Sequence, residues 1–154
     1  MGGGFEVEKN MKAVNRKAGF EYVLLERVEC GVALTGAEAK SIRAGKVKLD
    51  GSYVKVMGGE VFILNMQVFP YEHEGQERDW GRARKLLLHR KEIESLEGKM
   101  KTGRLAVVAT AIYTKGRRVK LEIALARGKK LHEKREEIKK AEQAREAQAE
   151  VGRG

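Results

Sequence analysis

The character of the chain changes abruptly at Gly128, and this change limits which residues one compact domain can include. Before it, apolar and polar residues alternate over residues 119–125, the period-two pattern of a half-buried strand. After it, residues 129–154 are mostly charged or glutamine, and their apolar side is too thin to build a core. The sequence therefore predicts a folded domain that ends at residue 128 and a charged tail, disordered when free, over residues 129–154.

A pair of glycines marks the clearest turn inside the predicted domain. Gly58-Gly59 separates two strand-like runs, residues 52–57 and residues 60–66. Glycine tolerates the positive φ angles that a two-residue hairpin turn requires. We therefore predict a β-hairpin here.

The last two strands of the domain form a second predicted hairpin. Residues 105–114 are apolar on both faces, residues 119–126 alternate, and residues 115–118 join them. Several short strands without a βαβ rhythm favour a mainly β fold with small helices. We predict a small closed or partly closed antiparallel β-barrel.

The remaining segments are assigned from their periodicity and glycine boundaries. Residues 1–19 show no period and are predicted to be a flexible arm, so the barrel would span residues 20–128. Residues 36–44 predict a short helix, and residues 83–96 an amphipathic helix. The polar stretch of residues 71–81 predicts a loop.

The charge of the chain narrows the class of its partner. The formal net charge is +10, and most of the excess lies before the tail. Such an excess favours a polyanion, because neutralised phosphates release condensed counterions. RNA, DNA and an anionic membrane surface all remain open. Three basic groups would form the contact surface: Lys40/Arg43/Lys46/Lys48, Arg82/Arg84/Lys85/Arg90/Lys91 and Lys115/Arg117/Arg118/Lys120.

Other classes of function find little support in the sequence. Cys30 is the only cysteine, which excludes an intrachain disulfide and fits a reducing cytoplasm. The chain has no signal-peptide pattern and no run of eighteen apolar residues, so no membrane span is predicted. The three histidines lack metal-ligand spacing, so we expect neither metal nor cofactor. An alternative to a binding protein is a small RNA nuclease or RNA-modifying enzyme that uses His89 or His132 with a glutamate.

Four stretches of the sequence carry a resemblance to a known family: NRKA (15–18), LTGAEAKSIRAGK (34–46), RKLLLHRKEI (84–93) and LARGKKLHEKR (125–135). LNMQVFPYE (64–72) is a weaker fifth. In their order and spacing, these stretches resemble the bacterial SsrA-binding protein family, also called small protein B or SmpB.

The resemblance implies an adaptor that is not an enzyme. Members of the family hold transfer-messenger RNA on an antiparallel β-barrel of the oligonucleotide-binding (OB) type. They bring this RNA to stalled ribosomes for trans-translation. The barrel takes the place of the anticodon side of a tRNA, and the tail enters the empty decoding centre and messenger channel as a helix. The implied partners are transfer-messenger RNA, small-subunit ribosomal RNA and elongation factor Tu on the same RNA, with the protein as a cytoplasmic monomer.

The resemblance also implies which residues make these contacts. The RNA-binding positions are Asn15, Glu29, Glu38, Lys40, Arg43, Lys46, Arg84, Lys85 and Arg90. The tail positions at the decoding centre are Lys129, Lys130, His132, Glu133, Lys134 and Arg135. The chain departs from the family pattern at Glu133, where Asp is usual, and at Phe20, where His is common. From residue 133 onward, basic and acidic residues are equal in number, whereas family tails are strongly basic.

Overall fold

The computed structural model describes residues 8–70 and 80–153, with side chains described up to residue 149. Within these ranges, seven strands form one antiparallel sheet in the order β1-β8-β9-β2-β7-β5-β4, and β3 pairs with β6 in a second, two-stranded sheet. The strands are β1 (Lys9–Val14), β2 (Tyr22–Val32), β3 (Val47–Lys48), β4 (Tyr53–Met57), β5 (Glu60–Leu64), β6 (Gln67–Val68), β7 (Arg84–Leu87), β8 (Ala106–Lys115) and β9 (Arg118–Gly128). The helices are α1 (Arg16–Glu21), α2 (Gly36–Arg43), α3 (Arg90–Gly103) and α4 (Leu131–Arg153).

The large sheet curls into an open barrel. β4, at one edge, contacts β8 near the other edge, and β1 contacts β3. Among the described residues, however, no hydrogen-bonded ladder joins β1 to β4. The prediction of a mainly β, OB-like fold is confirmed, with the barrel partly closed rather than closed.

Both predicted hairpins are present. Gly58 and Gly59 turn between β4 and β5 with φ angles of 60° and 76°, and Gly116 turns between β8 and β9 with φ of 61°. β8 is buried on both faces over Val107–Thr114, as its apolar pattern predicted. The helix predicted at residues 36–44 is α2, which Thr35 caps.

The prediction of a flexible arm over residues 1–19 is wrong for the described part of that segment. Residues 9–14 form β1, which pairs with β8, and α1 follows directly. An edge strand gains its hydrogen bonds from the neighbouring backbone and needs no apolar period, so the sequence pattern does not reveal it. Residues 1–7 lie outside the described residues, as does most of the loop predicted at residues 71–81.

The helix predicted over residues 83–96 begins too early. Residues 84–87 form β7, which lies between β2 and β5, and α3 starts only at Arg90. Leu86 is buried, whereas its neighbour Leu87 is 55% exposed, so the two leucines lie on opposite faces of a strand. The two neighbouring strands supply backbone partners that outweigh the local helical pattern.

The tail is a helix in this structure. We predicted that the free tail has no regular structure, but residues 131–153 form α4, a helix of 23 residues. The physical reason lies in its first two turns, where Glu133 pairs with Arg127 at the end of β9 and Glu137 pairs with Lys129 just after it.

Candidate RNA-binding surface

Two of the predicted basic groups lie side by side. Thr35 and Glu38 form a capping box that starts α2, and this places Arg43 in the last turn of the helix. One guanidinium nitrogen of Arg43 donates a hydrogen bond of 2.7 Å to the carbonyl oxygen of Arg117, at the tip of the β8–β9 hairpin. The fold therefore joins two groups that are 74 residues apart in sequence.

An exposed apolar residue lies between these cations. Gly31 in β2 pairs with Leu87 on one side and Lys120 on the other. Leu87 lies directly over Gly31, where an added Cβ atom would approach the Cδ1 atom of Leu87 to 3.2 Å. Because Leu87 is more than half exposed, its side chain offers an apolar surface to a nucleotide base or ribose.

Two grooves meet at this leucine and form what we call the basic cleft. One runs between α2 and the β8–β9 tip, and the other between β2, β7 and the start of α3. Both are lined by Gly31, Leu87 and Lys120. The cationic residues of the cleft are Arg43, Lys85, Arg90, Arg117, Arg118 and Lys120. Its acidic residues are Glu29, Glu60 and Glu92, of which Glu60 pairs with Lys85 at 3.0 Å. The structure thus brings together four predicted RNA-binding residues: Glu29, Arg43, Lys85 and Arg90.

Glu29 is one of the acidic residues of the cleft, and it is held by three neighbours. It accepts a hydrogen bond from the hydroxyl of Tyr113, and the ammonium groups of Lys115 and Lys9 lie 3.4 and 3.8 Å from its carboxylate. The hydrogen bond from Tyr113, with help from the two lysines, lowers the pKa of Glu29 despite its partial burial. The carboxylate is therefore ionised at neutral pH and is held in place by Tyr113 and the two lysines.

Lys40 and Lys46 extend the cation surface along α2. Both are exposed, and Lys40 lies one turn before Arg43 on the same helix. Lys46 follows Gly45, whose positive φ of 79° ends the helix. These two predicted residues are therefore placed where a bound polyanion can reach them.

Two other predicted residues, Glu38 and Arg84, are buried and bind each other. The carboxylate of Glu38 accepts hydrogen bonds from Arg84, at 2.7 Å, and from Arg82, at 2.6 Å. Arg84 also donates to the carbonyl oxygens of Met66 and Trp80. Burial alone would raise the pKa of Glu38, but the hydrogen bonds from Thr35, Arg82 and Arg84 outweigh it, so this pKa is lowered. The pair ties α2 to β7 below the cleft.

Asn15 is also buried, and its side chain is used inside the fold. Its Oδ1 atom accepts a hydrogen bond from the N–H of Ala18 and caps α1. Its Nδ2 atom donates to the carbonyl oxygen of Ala109 in β8, at 2.9 Å. Asn15 therefore fixes α1 to the barrel.

The predicted tail residues divide into exposed and bound groups. Lys130, His132 and Arg135 are exposed. Both oxygens of Glu133 accept hydrogen bonds from Arg127, at 3.0 and 3.2 Å, and this contact lowers the pKa of Glu133 to about 2. Lys134 lies 5.9 Å from the centre of the Phe20 ring, and the side chain of Lys129 is almost fully buried.

Sequence reasoning missed Leu87 as a site residue and did not commit to Arg117, Arg118 or Lys120. The sequence did indicate these cations, because they belong to the basic group predicted at the tip of the second hairpin. No signal existed for Leu87, since three consecutive leucines do not show which one faces outward. Over the described ranges, no group of His, Cys, Asp and Glu side chains could hold a metal ion, and no helix is long and apolar enough to cross a membrane.

An open antiparallel β-barrel with a basic cleft and a charged helix at its end places this protein among the small basic β-barrel proteins, a class suited to polyanionic partners. The chain belongs to the SmpB protein family, whose family model matches residues 12–153.

Individual relatives agree with this assignment. The SsrA-binding protein of Roseiflexus sp. (strain RS-1) is 44% identical over 148 residues, which are 95% of this chain and 93% of the relative. The SsrA-binding protein of Mycobacterium leprae (strain Br4923) is 44% identical over 146 residues, or 94% of this chain and 91% of the relative. A chain from a solved structure described as "tmRNA-SmpB: a journey to the center of the bacterial ribosome" is 42% identical, with a TM-score of 0.64. That alignment covers 77% of this chain and 84% of the other.

Proposed function

We propose that this protein binds transfer-messenger RNA and delivers it to stalled ribosomes for trans-translation. The basic cleft holds the RNA, and the exposed residues Lys130, His132 and Arg135 contact ribosomal RNA at the empty decoding centre. The protein is a cytoplasmic monomer and not an enzyme, and elongation factor Tu binds the same RNA.

The observation that carries this proposal is the placement of two contact surfaces on one strand. β9 begins at the hairpin tip beside the cleft and ends at Gly128, where the tail follows. At about 3.3 Å per residue, the two ends are roughly 30 Å apart. The cleft and the tail can therefore bind two different RNAs at once, as an adaptor requires.

Within this proposal, the three buried residues support the RNA surface and do not contact RNA. The side chains of Asn15, Glu38 and Arg84 are buried, and they form hydrogen bonds with the protein's own backbone and side chains. Glu29 and Lys85 face the cleft directly.

The test is to incubate the tagged protein with total bacterial RNA and to sequence the RNA that remains bound. We expect one dominant structured RNA, transfer-messenger RNA. The logarithm of its binding constant should fall linearly with the logarithm of the salt concentration, with a slope of about −0.7 to −0.9 per phosphate contact. Recovery of random fragments would refute the proposal.

A pair of matched variants locates the contact. Arg117→Ala/Lys120→Ala removes two cations from the cleft, and Lys99→Ala/Lys101→Ala removes two from exposed positions on α3. Only the first variant should weaken binding substantially and flatten the salt slope. Equal losses in both variants would mean that net charge, and not the cleft, drives binding.

A further inference from the structure

A buried lysine lies at the junction between the barrel and the tail. The side chain of Lys129 is only 8% exposed, whereas that of its neighbour Lys130 is exposed. The ammonium group of Lys129 donates a hydrogen bond of 2.9 Å to the carbonyl oxygen of Gly19 in α1 and forms an ion pair with Glu137 in α4. Its backbone N–H donates to the carbonyl oxygen of Glu21, also at 2.9 Å. Lys129 therefore joins the end of the barrel to both helices.

The two groups that surround the Lys129 ammonium both favour a positive charge. Gly19 lies in the last turn of α1, where carbonyl oxygens have no partner within the helix and where positive charge is favourable. Glu137 lies in the second turn of α4, so one ammonium group bridges the end of one helix and the flank of the other. Burying this ammonium group without both partners would cost free energy. The orientation of α4 that supplies both partners is therefore favoured.

Other contacts lie along the same line between α1 and α4. Phe20 and Ile138 line one groove between the two helices, although both are partly exposed. Lys134 lies over the ring of Phe20, and Arg127 at the end of β9 holds Glu133 through two hydrogen bonds. The two ion pairs and the Lys134 contact lie in the first two turns of α4, and the groove continues along the helix to Arg145.

We propose that Lys129 is a positioning residue that fixes the direction in which α4 leaves the barrel. Without its side-chain contacts, α4 would be free to turn about Lys129 and Lys130, the two residues that connect β9 to α4. This inference rests on the proposed function, in which the direction of the tail decides whether it enters the messenger channel. It replaces the prediction that the Lys129 side chain contacts the ribosome.

The test measures the direction of the tail and the tagging activity of the protein separately. Spin labels are placed on the exposed positions Lys101 in α3 and Glu136 in the second turn of α4, by cysteine substitution. Cys30 stays unlabelled because it is buried, and burial raises the pKa of its thiol to about 12. Distance distributions are recorded by electron–electron double resonance for the otherwise unchanged full chain and for Lys129→Met, Lys129→Arg and the control Lys130→Met.

We expect a single narrow distance peak in the unchanged chain and in Lys130→Met, and its loss in Lys129→Met. Lys129→Arg should restore the peak at least in part, because arginine keeps the charge. Binding of transfer-messenger RNA should be the same for Lys129→Met and the unchanged chain, whereas tagging in a reconstituted system should fall about tenfold, equivalent to 1.4 kcal/mol.

One result would overturn the inference. An unchanged distance peak in Lys129→Met would show that Lys129 does not position α4, and reduced tagging together with that unchanged peak would assign Lys129 a direct ribosome contact. Failure of the unchanged chain to bind transfer-messenger RNA would refute the proposed function instead, and the distance measurement, which needs no RNA, would still decide the role of Lys129.

Discussion

At the scale of single residues, side-chain burial separates charged residues that the sequence presents as alike. Arg84 is fully buried and holds Glu38, whereas Lys85, the next residue, lines the basic cleft. The period of two along β7 produces this difference, because successive side chains point to opposite faces. Substitutions at neighbouring positions should therefore have different consequences.

Leu87→Ala tests the apolar part of the cleft. We expect RNA affinity to fall about tenfold, because an apolar contact worth about 1.5 kcal/mol is lost. Thermal stability should stay unchanged, since the side chain is already largely exposed. Leu25→Ala is the matched control, because Leu25 is similarly exposed and does not line the cleft. A similar loss of RNA affinity in both variants, measured by filter binding, would contradict the assigned site.

Glu38→Gln tests the buried ion pair. We expect the free energy of unfolding at neutral pH to fall by about 3 kcal/mol, because Arg84 keeps its charge and loses its carboxylate partner. Urea unfolding measures this change. Glu26→Gln, which removes an exposed pair with Lys99, should cost less than about 1 kcal/mol.

The difference in stability between the unchanged chain and Glu38→Gln should depend on pH. The pKa of Glu38 is lower in the folded state, so its contribution is fully present above the unfolded value of about 4.3. The contribution is lost as the pH falls through the folded pKa. The stabilities of the unchanged chain and Glu38→Gln should therefore converge in acid, and a constant difference at all pH values would exclude this origin.

At the scale of secondary-structure elements, backbone geometry decides what a residue contributes. Gly59 adopts a φ of 76° in the β4–β5 turn, while Gly98 lies inside α3, and neither has an atom within 4 Å of an added Cβ. The two glycines therefore differ in backbone conformation and not in available space.

The same substitution should have opposite effects at these two glycines. Gly59→Ala should destabilise the fold by about 1–2 kcal/mol, because a left-handed conformation is unfavourable for alanine. Gly98→Ala should stabilise it by about 0.5–1 kcal/mol, because alanine is the better helix former. Thermal denaturation measures both, and destabilisation by both variants would contradict the backbone explanation.

Hydrogen exchange should divide α4 into two parts. Residues 131–138 contain Glu133 and Glu137, which pair with Arg127 and Lys129, and they should exchange more slowly than residues 139–149. A charged helix without packing is marginal in water, so its distal part should open often. Uniform protection along α4 would show that its stability does not come from the barrel contacts.

At the scale of the whole molecule, the barrel and the tail are two surfaces with separate tasks. Deleting residues 129–154 should leave the barrel folded and bound to RNA, because the cleft lies at the far end of β9. The deletion should abolish tagging on stalled ribosomes. Circular dichroism, RNA binding and a reconstituted tagging assay measure the three outcomes, and normal tagging by the truncated chain would refute the role of the tail.

The sequence by itself determined the elements whose signals are local. Gly58-Gly59 and the apolar pattern of β8 define the two hairpins, because turn geometry and strand alternation depend on residues close in sequence. The sequence motifs also identified the SmpB family, and the change at Gly128 marked the end of the barrel.

Only the tertiary structure decided which of the matching residues face outward. It turned residues 84–87 into a strand, enclosed Arg84 and Lys129, and exposed Leu87. Each of these outcomes depends on partners that are distant in sequence, such as β2 and β5 for β7, or Gly19 for Lys129. A local pattern fixes the period of an element, whereas the face that is buried depends on what packs against it.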